Sequence, residues 1–257
     1  MKKFFTACLI FITVLCAAVA VFLPPAYVTP ILMYHNIDQK EDLLSVSPKD
    51  FDRQMRFLKE HKYNVIALGE LAAMIAGSKK IPPKTVVITF DDGRENNFTN
   101  AYPALKKYNM PATMFVIPNH CNWRGYLSKQ QINQMAQNGI DIGSHTLNDV
   151  RLPDCDDAKL YEEIAGSKKA LETITGKKVD FISYPMGGFN QRVRLAVMRT
   201  GYKAALATNP GRYSAKDDLY ALKRLKVSGK NAHNMLSFWF KTTGYATWFK
   251  EHKRKKK

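Results

Sequence analysis

Short, unbroken apolar runs alternate along the chain with stretches in which apolar residues recur at helical spacing. The clearest run is TVVITF at 85–90. It has no polar alternation, which predicts a strand buried on both faces, as in a parallel sheet. Further strands are predicted at 31–34, 64–67, 112–117, 140–143, 181–184, 204–208 and 219–227. Ser47-Pro48-Lys49-Asp50 reads as a helix start: a capping serine, a proline at the first helical position and an acid that closes the box. Phe51, Met55 and Leu58 follow at helical spacing, to an end near His61. Helices are also predicted at 68–76, 97–108 with Pro103 delaying the regular part, 128–137, 156–175, 190–200 and 232–241. Strands and helices alternating at roughly 25–35 residues imply βαβ units and a parallel sheet. About seven strands, or eight, fit a closed (β/α) barrel, and an open doubly wound sheet is the alternative.

The first residues follow a different pattern. Lys2 and Lys3 precede residues 4–23, a stretch with no charge that is long enough to span a bilayer. With the lysines inside, the remainder of the chain lies outside the cytoplasm. Ala18-Val19-Ala20 leaves a cleaved signal peptide open. The expected organisation is a signal anchor or signal peptide at 1–23, a linker at 24–29, one domain at 30–245 and a basic tail at 246–257. At 257 residues and 46% apolar content, the chain can bury one large core.

Net charge is +17, concentrated partly in the closing KEHKRKKK. It favours anionic surfaces, yet no zinc-finger spacing, phosphate loop or nucleic-acid motif accompanies it, so no nucleic-acid partner is expected. Cys121 and Cys155 fall in the exported part, where a disulfide is permitted and two free thiols are equally compatible with the sequence.

Polar residues at strand ends carry the candidate chemistry. His35, Asp91 with Asp92, His145 and Tyr184 each close a different predicted strand, and in a parallel barrel all such ends share one face. Two adjacent ionised carboxylates repel unless a cation or proton lies between them, and Gly93 lets the backbone bend behind them. Asp149 follows His145 by four residues, so a helical turn would bring it to the same face. Asp92, His145 and Asp149 then form a one-histidine, two-carboxylate set suited to Zn²⁺ or another divalent ion.

The segments TFDDG at 89–93, SHTLND at 144–149 and FISYPMG at 181–187 resemble the first three motifs of NodB-type polysaccharide deacetylases, carbohydrate esterase family 4. LMYH at 32–35 and ALKRL at 221–225 resemble the branch that includes exported poly-N-acetylglucosamine deacetylases. The resemblance implies a distorted parallel (β/α) barrel and metal-dependent removal of N-acetyl groups from a cell-surface polysaccharide. It implies Asp91 as general base, a water on the metal as nucleophile, and Asp92, His145 and Asp149 as ligands of Zn²⁺, with Mn²⁺, Co²⁺ or another harder ion open. Tyr184, Pro185, Met186 and Gly187 would line the substrate groove, the Met186 backbone N–H facing the oxyanion. Trp123 is the candidate for stacking on a sugar ring.

The chain departs from the family pattern in three places. Asp149 stands where a second histidine is usual, and its charge lowers the metal's Lewis acidity. Ser183 stands where many members have an arginine that orients the base, and Arg224 is the candidate replacement. No C-terminal histidine motif is present to protonate the leaving amine, and His35 is the candidate for that role, ahead of His233. Phe238-Trp239-Phe240 reads as core packing. Two other functions stay open: a non-catalytic glycan-binding protein on the same fold, and a hydrolase of a different amide.

Overall fold

The computed structural model describes residues 5–6, 8, 11–15, 29–40, 42–208, 218–227, 229, 232–243 and 246. Lys2, Lys3, most of the apolar stretch 4–23, the Ala18-Val19-Ala20 cleavage candidate and the tail from 247 lie outside them. Among the described residues no helix is long and apolar enough to cross a membrane.

Strand β1 (Ile31–Tyr34) starts a parallel sheet whose centre is β5 (Thr85–Phe90), buried at all six positions. Two short strands, β2 (Asn36–Ile37) and β3 (Ser45–Val46), pair with each other, and β4 (Asn64–Val65) pairs with the start of β5. The path continues through β6 (Thr113–Val116), β7 (Asp141–Ser144), β8 (Phe181–Ser183) and β9 (Ala204–Ala207). The single strand expected at 219–227 is instead a 3-10 turn (Leu219–Ala221) and two short strands, β10 (Leu222–Lys223) and β11 (Leu225–Lys226). β10 pairs with β9 and β11 with β1, so the segment changes partner at Arg224. The parallel sheet therefore joins its two ends across one residue, and the eight-strand path is a nearly closed barrel rather than an open sheet.

Strand side chains alternate between two faces, and here they alternate between two cores. Ile31, Val87, Phe115, Phe181, Leu206 and Leu222 form one core inside the barrel, together with helix α2 (Leu68–Ala76). Leu32, Ile88, Phe90, Met114, Ile182 and Ala205 join the other, under the helices α1 (Pro48–Glu60), α3 (Tyr102–Tyr108) and α4 (Lys129–Gln137). The Phe115 ring fills the barrel because Gly143 has no side chain; a Cβ there would lie 2.5 Å from it. By the same alternation Thr89, Asp91, Ser183 and Arg224 point inward, above this apolar floor.

The expected caps form. Ser47 accepts from the Asp50 N–H at 3.1 Å, and Ser128 and Gln131 complete a reciprocal capping box. Two predicted helices are interrupted by wider π turns. Asn97–Ala101 precedes α3, where Pro103 brings no N–H to an α-type bond. Glu162–Gly166 splits the expected 156–175 helix into α5 (Asp157–Tyr161) and α6 (Ser167–Thr175). Helix α7 (Gln191–Arg199) and helix α8 (Met235–Thr242) complete the outer layer. Cys121 and Cys155 are both free thiols.

Candidate active site

Every strand-end segment of interest opens at the C-terminal mouth of the barrel, the face on which parallel barrels place their chemistry. Asp91 follows β5 directly and its N–H donates to the Tyr34 carbonyl at 3.0 Å, locking it to the end of β1. Asp92 (φ 71°) and Gly93 (φ 64°) are both left-handed, so the chain turns sharply after Asp91 and the two carboxylates part. The turn is tied down by the Gly93 carbonyl, which accepts from the Leu127 N–H at 2.9 Å.

Asp91 is buried and gripped from below. Arg224 Nη1 donates to Oδ1 at 2.6 Å and Nη2 to Oδ2 at 2.7 Å, a two-point clamp. Arg224 is itself buried, lies over the Phe115 ring and donates from Nη2 to Ser183 Oγ at 2.7 Å. Ser183 Oγ stands 3.4 Å from Asp91 Oδ2. Burial pushes the Asp91 carboxyl up, but the Arg224 guanidinium, then His145 and His35, outweigh it and hold it at about 2. The arginine expected to stand in for the missing one thus lies against Asp91, and Ser183 fills the space left beside it.

His145 follows β7, its N–H bonded to the Val116 carbonyl at 2.9 Å. Its Nδ1 lies 3.0 Å from the Ser183 carbonyl, which can only accept, so Nδ1 carries a proton and Nε2 is the ring atom left to face the mouth. Nε2 faces Asp92 Oδ1 at 3.7 Å and Asp149 Oδ1 at 3.6 Å. Thr146 (φ 62°) and Asp149 (φ 59°) are left-handed, so a looped turn, rather than the expected helical one, brings Asp149 to the same face. Burial raises the Asp149 carboxyl, and Asp92 and Asp91 add to the rise against His145.

Among the described residues no group of three or more histidine, cysteine, aspartate or glutamate side chains is arranged to hold a metal ion. The donor types nevertheless suit a divalent cation: His145 Nε2 faces one carboxylate oxygen each of Asp92 and Asp149 at separations too long for hydrogen bonds. Nδ1 bound to a carbonyl with Nε2 free is also the usual arrangement of a ligating histidine.

His35 lies at the mouth, its carbonyl accepting from Asn97 Nδ2 at 2.7 Å and its Nδ1 buried without a partner among the described residues. Burial lowers its pKa, opposed by the neighbouring Asp91 and Asp92 charges. Met186 is exposed at φ 54°, and Gly187 (φ 67°) packs so tightly that a Cβ would meet Thr208 Oγ1 at 2.0 Å. Pro185 is buried beneath them. Trp123 is exposed and stacks on His120, with ring centres 4.3 Å apart.

Tyr184 is not a groove residue. Its ring is fully buried, stacked on Phe189 at 4.9 Å, and its hydroxyl donates to the Tyr220 carbonyl at 2.9 Å. Strand alternation explains the correction: Ser183 points into the barrel, so Tyr184 points into the helical layer.

Comparison with known proteins gives this geometry a family. The polysaccharide deacetylase profile matches residues 78–205. YxkH of Bacillus subtilis (strain 168), whose name places it among polysaccharide deacetylases, is 38% identical over 199 residues, covering 77% of this chain and 71% of its own length. The chain belongs to the polysaccharide deacetylase family. The poly-β-1,6-N-acetyl-D-glucosamine N-deacetylase of Staphylococcus aureus (strain MSSA476) is 26% identical over 209 residues, 76% of this chain and 72% of that protein. The Streptococcus pyogenes deacetylase PplD, solved with acetate, superposes with a TM-score of 0.76 at 29% identity, covering 82% of this chain and 97% of that one.

Within this deacetylase-family site, two residues escape the motif reading. Glu163 is a fully buried carboxylate on the π turn of 162–166. Its Oε2 accepts from the N–H groups of Leu147 and Asn148, both at 2.9 Å, and its Oε1 from Asn148 Nδ2 at 2.7 Å. It therefore holds the turn that carries Asp149. A signal was present: Leu160, Glu163, Ile164 and Ser167 share one helical stripe, so an acid sits on the buried face. Arg94 is the second. It lies 3.5 Å from Asp92 Oδ2 and stacks over Tyr126 at 4.3 Å, a contact between loops with no local sequence signal.

Proposed function

We propose that this chain hydrolyses the N-acetyl amide of an N-acetylated cell-surface polysaccharide. The observation that carries the proposal is one juxtaposition: a clamped, ionised carboxylate, Asp91, beside His145 Nε2 and two further carboxylates.

Asp92, His145 and Asp149 would hold a divalent cation, with Zn²⁺ the first candidate and Mn²⁺ or Co²⁺ alternatives. When bound, the cation supplies Lewis acidity to the acetyl carbonyl and makes the attacking water more acidic. Asp91 accepts the proton that the water loses. Arg224 and Ser183 fix its carboxylate so that no reorientation is needed as that proton moves. The Met186 N–H, at the exposed left-handed turn, is the candidate main-chain donor to the oxyanion. His35 is the candidate to pass to the departing amine the proton that Asp91 takes from the water; burial lowers its pKa. Exposed Trp123 offers an apolar face for a sugar ring at the rim.

The apolar stretch at 4–23 supports an exported protein, held on the membrane or released after cleavage. Acetate release from N-acetylglucosamine oligomers, β-1,4- and β-1,6-linked, tests the reading with added Zn²⁺, Mn²⁺ or Co²⁺ and with chelator. Metal-dependent release is expected; oligomer binding with no release under any metal favours the glycan-binding alternative.

A further inference from the structure

We infer that the outer face of α8 is a docking surface for an anionic lipid bilayer. The surface is independent of the catalytic reading and of the apolar stretch at 4–23.

The inner face of α8 is pinned. Phe238 is buried, its ring edge-on to Phe57 with centres 5.9 Å apart, and the buried Thr242 hydroxyl lies 2.8 Å from the Tyr63 hydroxyl. Asn234 caps the helix, Oδ1 accepting from the N–H groups of Leu236 and Ser237 at 3.0 and 3.1 Å. With 238 and 242 inward, positions 236, 239 and 240 share the outer face. They are Leu236, Trp239 and Phe240, exposed by 76%, 49% and 38%. The aromatic run expected to be core packing is thus divided: Phe238 packs and its two neighbours face out.

A leucine and two aromatics on one helix face favour a surface apolar below and wet at its edge, as the headgroup zone of a bilayer is. Charge identifies which bilayer. Lys241 lies in the last turn, and the sequence then runs through Trp248 and Phe249 to Lys250, Lys253, Arg254, Lys255, Lys256 and Lys257, with Glu251 the one acid among the last eight residues. Basic clusters next to interfacial aromatics are drawn to anionic headgroups, and either signal alone binds weakly.

The test uses the full chain, with Trp123→Phe and Trp248→Phe so that Trp239 alone reports. It is reconstituted in vesicles of phosphatidylcholine, with or without phosphatidylglycerol. Brominated lipid should quench Trp239, with a blue-shifted emission, only where phosphatidylglycerol is present; high salt and Leu236→Ser should each reduce the quenching. Because residue 236 is exposed, the thermal midpoint of that variant should be unchanged. Trp239 that stays insensitive to brominated lipid in anionic vesicles overturns the inference. So does shielding of Trp239 by a soluble polyanion such as dextran sulfate but not by lipid, which would reassign the surface to an acidic polymer.

Discussion

Arg224 and Asp91 meet through two hydrogen bonds of 2.6 and 2.7 Å, both side chains buried, at the residue where the barrel closes. One interaction therefore serves the fold and the site. Arg224 interrupts the strand that pairs with both sheet ends, and its guanidinium fixes the proposed base. Arg224→Lys keeps the charge but loses the fork. Its kcat should fall by roughly 10²-fold with KM nearly unchanged, measured by acetate release. Arg224→Met leaves Asp91 buried and unpaired, and should cost about 3–5 kcal/mol in urea unfolding.

Acid titration should reveal the same pair. Asp91 is held at about 2 in the folded chain, below its ordinary value of 3.8. A depressed carboxylate contributes stability that is complete above its unfolded pKa and is lost as pH falls through the folded one. The unfolding free-energy difference between the native chain and Asp91→Asn should therefore shrink by about 2 kcal/mol as pH drops from about 5 to about 2. A difference that stays flat over this window would contradict the clamp.

Glu163 acts on the site through the turn at 146–149. Glu163→Gln keeps the shape but removes the charge that gathers three donors at 2.7–2.9 Å. Isothermal titration should show divalent-metal affinity down by about 10–100-fold, the range for residues that orient ligands. Far-ultraviolet circular dichroism should be unchanged, and Glu163→Asp should not restore affinity, being too short to reach both N–H groups.

Asp149→His tests the third ligand position. The φ of 59° at this residue is one that histidine also adopts. Removing one negative charge from the set should raise activity with Zn²⁺ and diminish any advantage of Mn²⁺. Unchanged metal preference, or a loss of Zn²⁺ activity, would remove Asp149 from the ligand set.

Much of this was legible in the chain because its signals are local. The β5 run, the Ser47 and Ser128 caps and the alternation of strands and helices depend on a few neighbouring residues, and TFDDG and SHTLND place the acidic and histidine groups at strand ends. What escaped depends on long-range pairing. The break at Arg224 arises because β9 and β1, far apart in sequence, claim the two halves of one segment. Tyr184 read as a groove residue because its position in a motif outweighed the strand alternation that turns it into the core. Glu163 belongs to no motif, and its role depends on the π turn and on donors 15 and 16 residues away.

The most direct measurement compares Asp91→Asn with the native chain on N-acetylglucosamine oligomers, reading acetate release and oligomer binding together in the presence of Zn²⁺ or Mn²⁺. The account predicts that binding persists while metal-dependent release falls by at least roughly 10²-fold, the usual range for loss of a general base. Equal release by both proteins, or release unaffected by chelator, would contradict it.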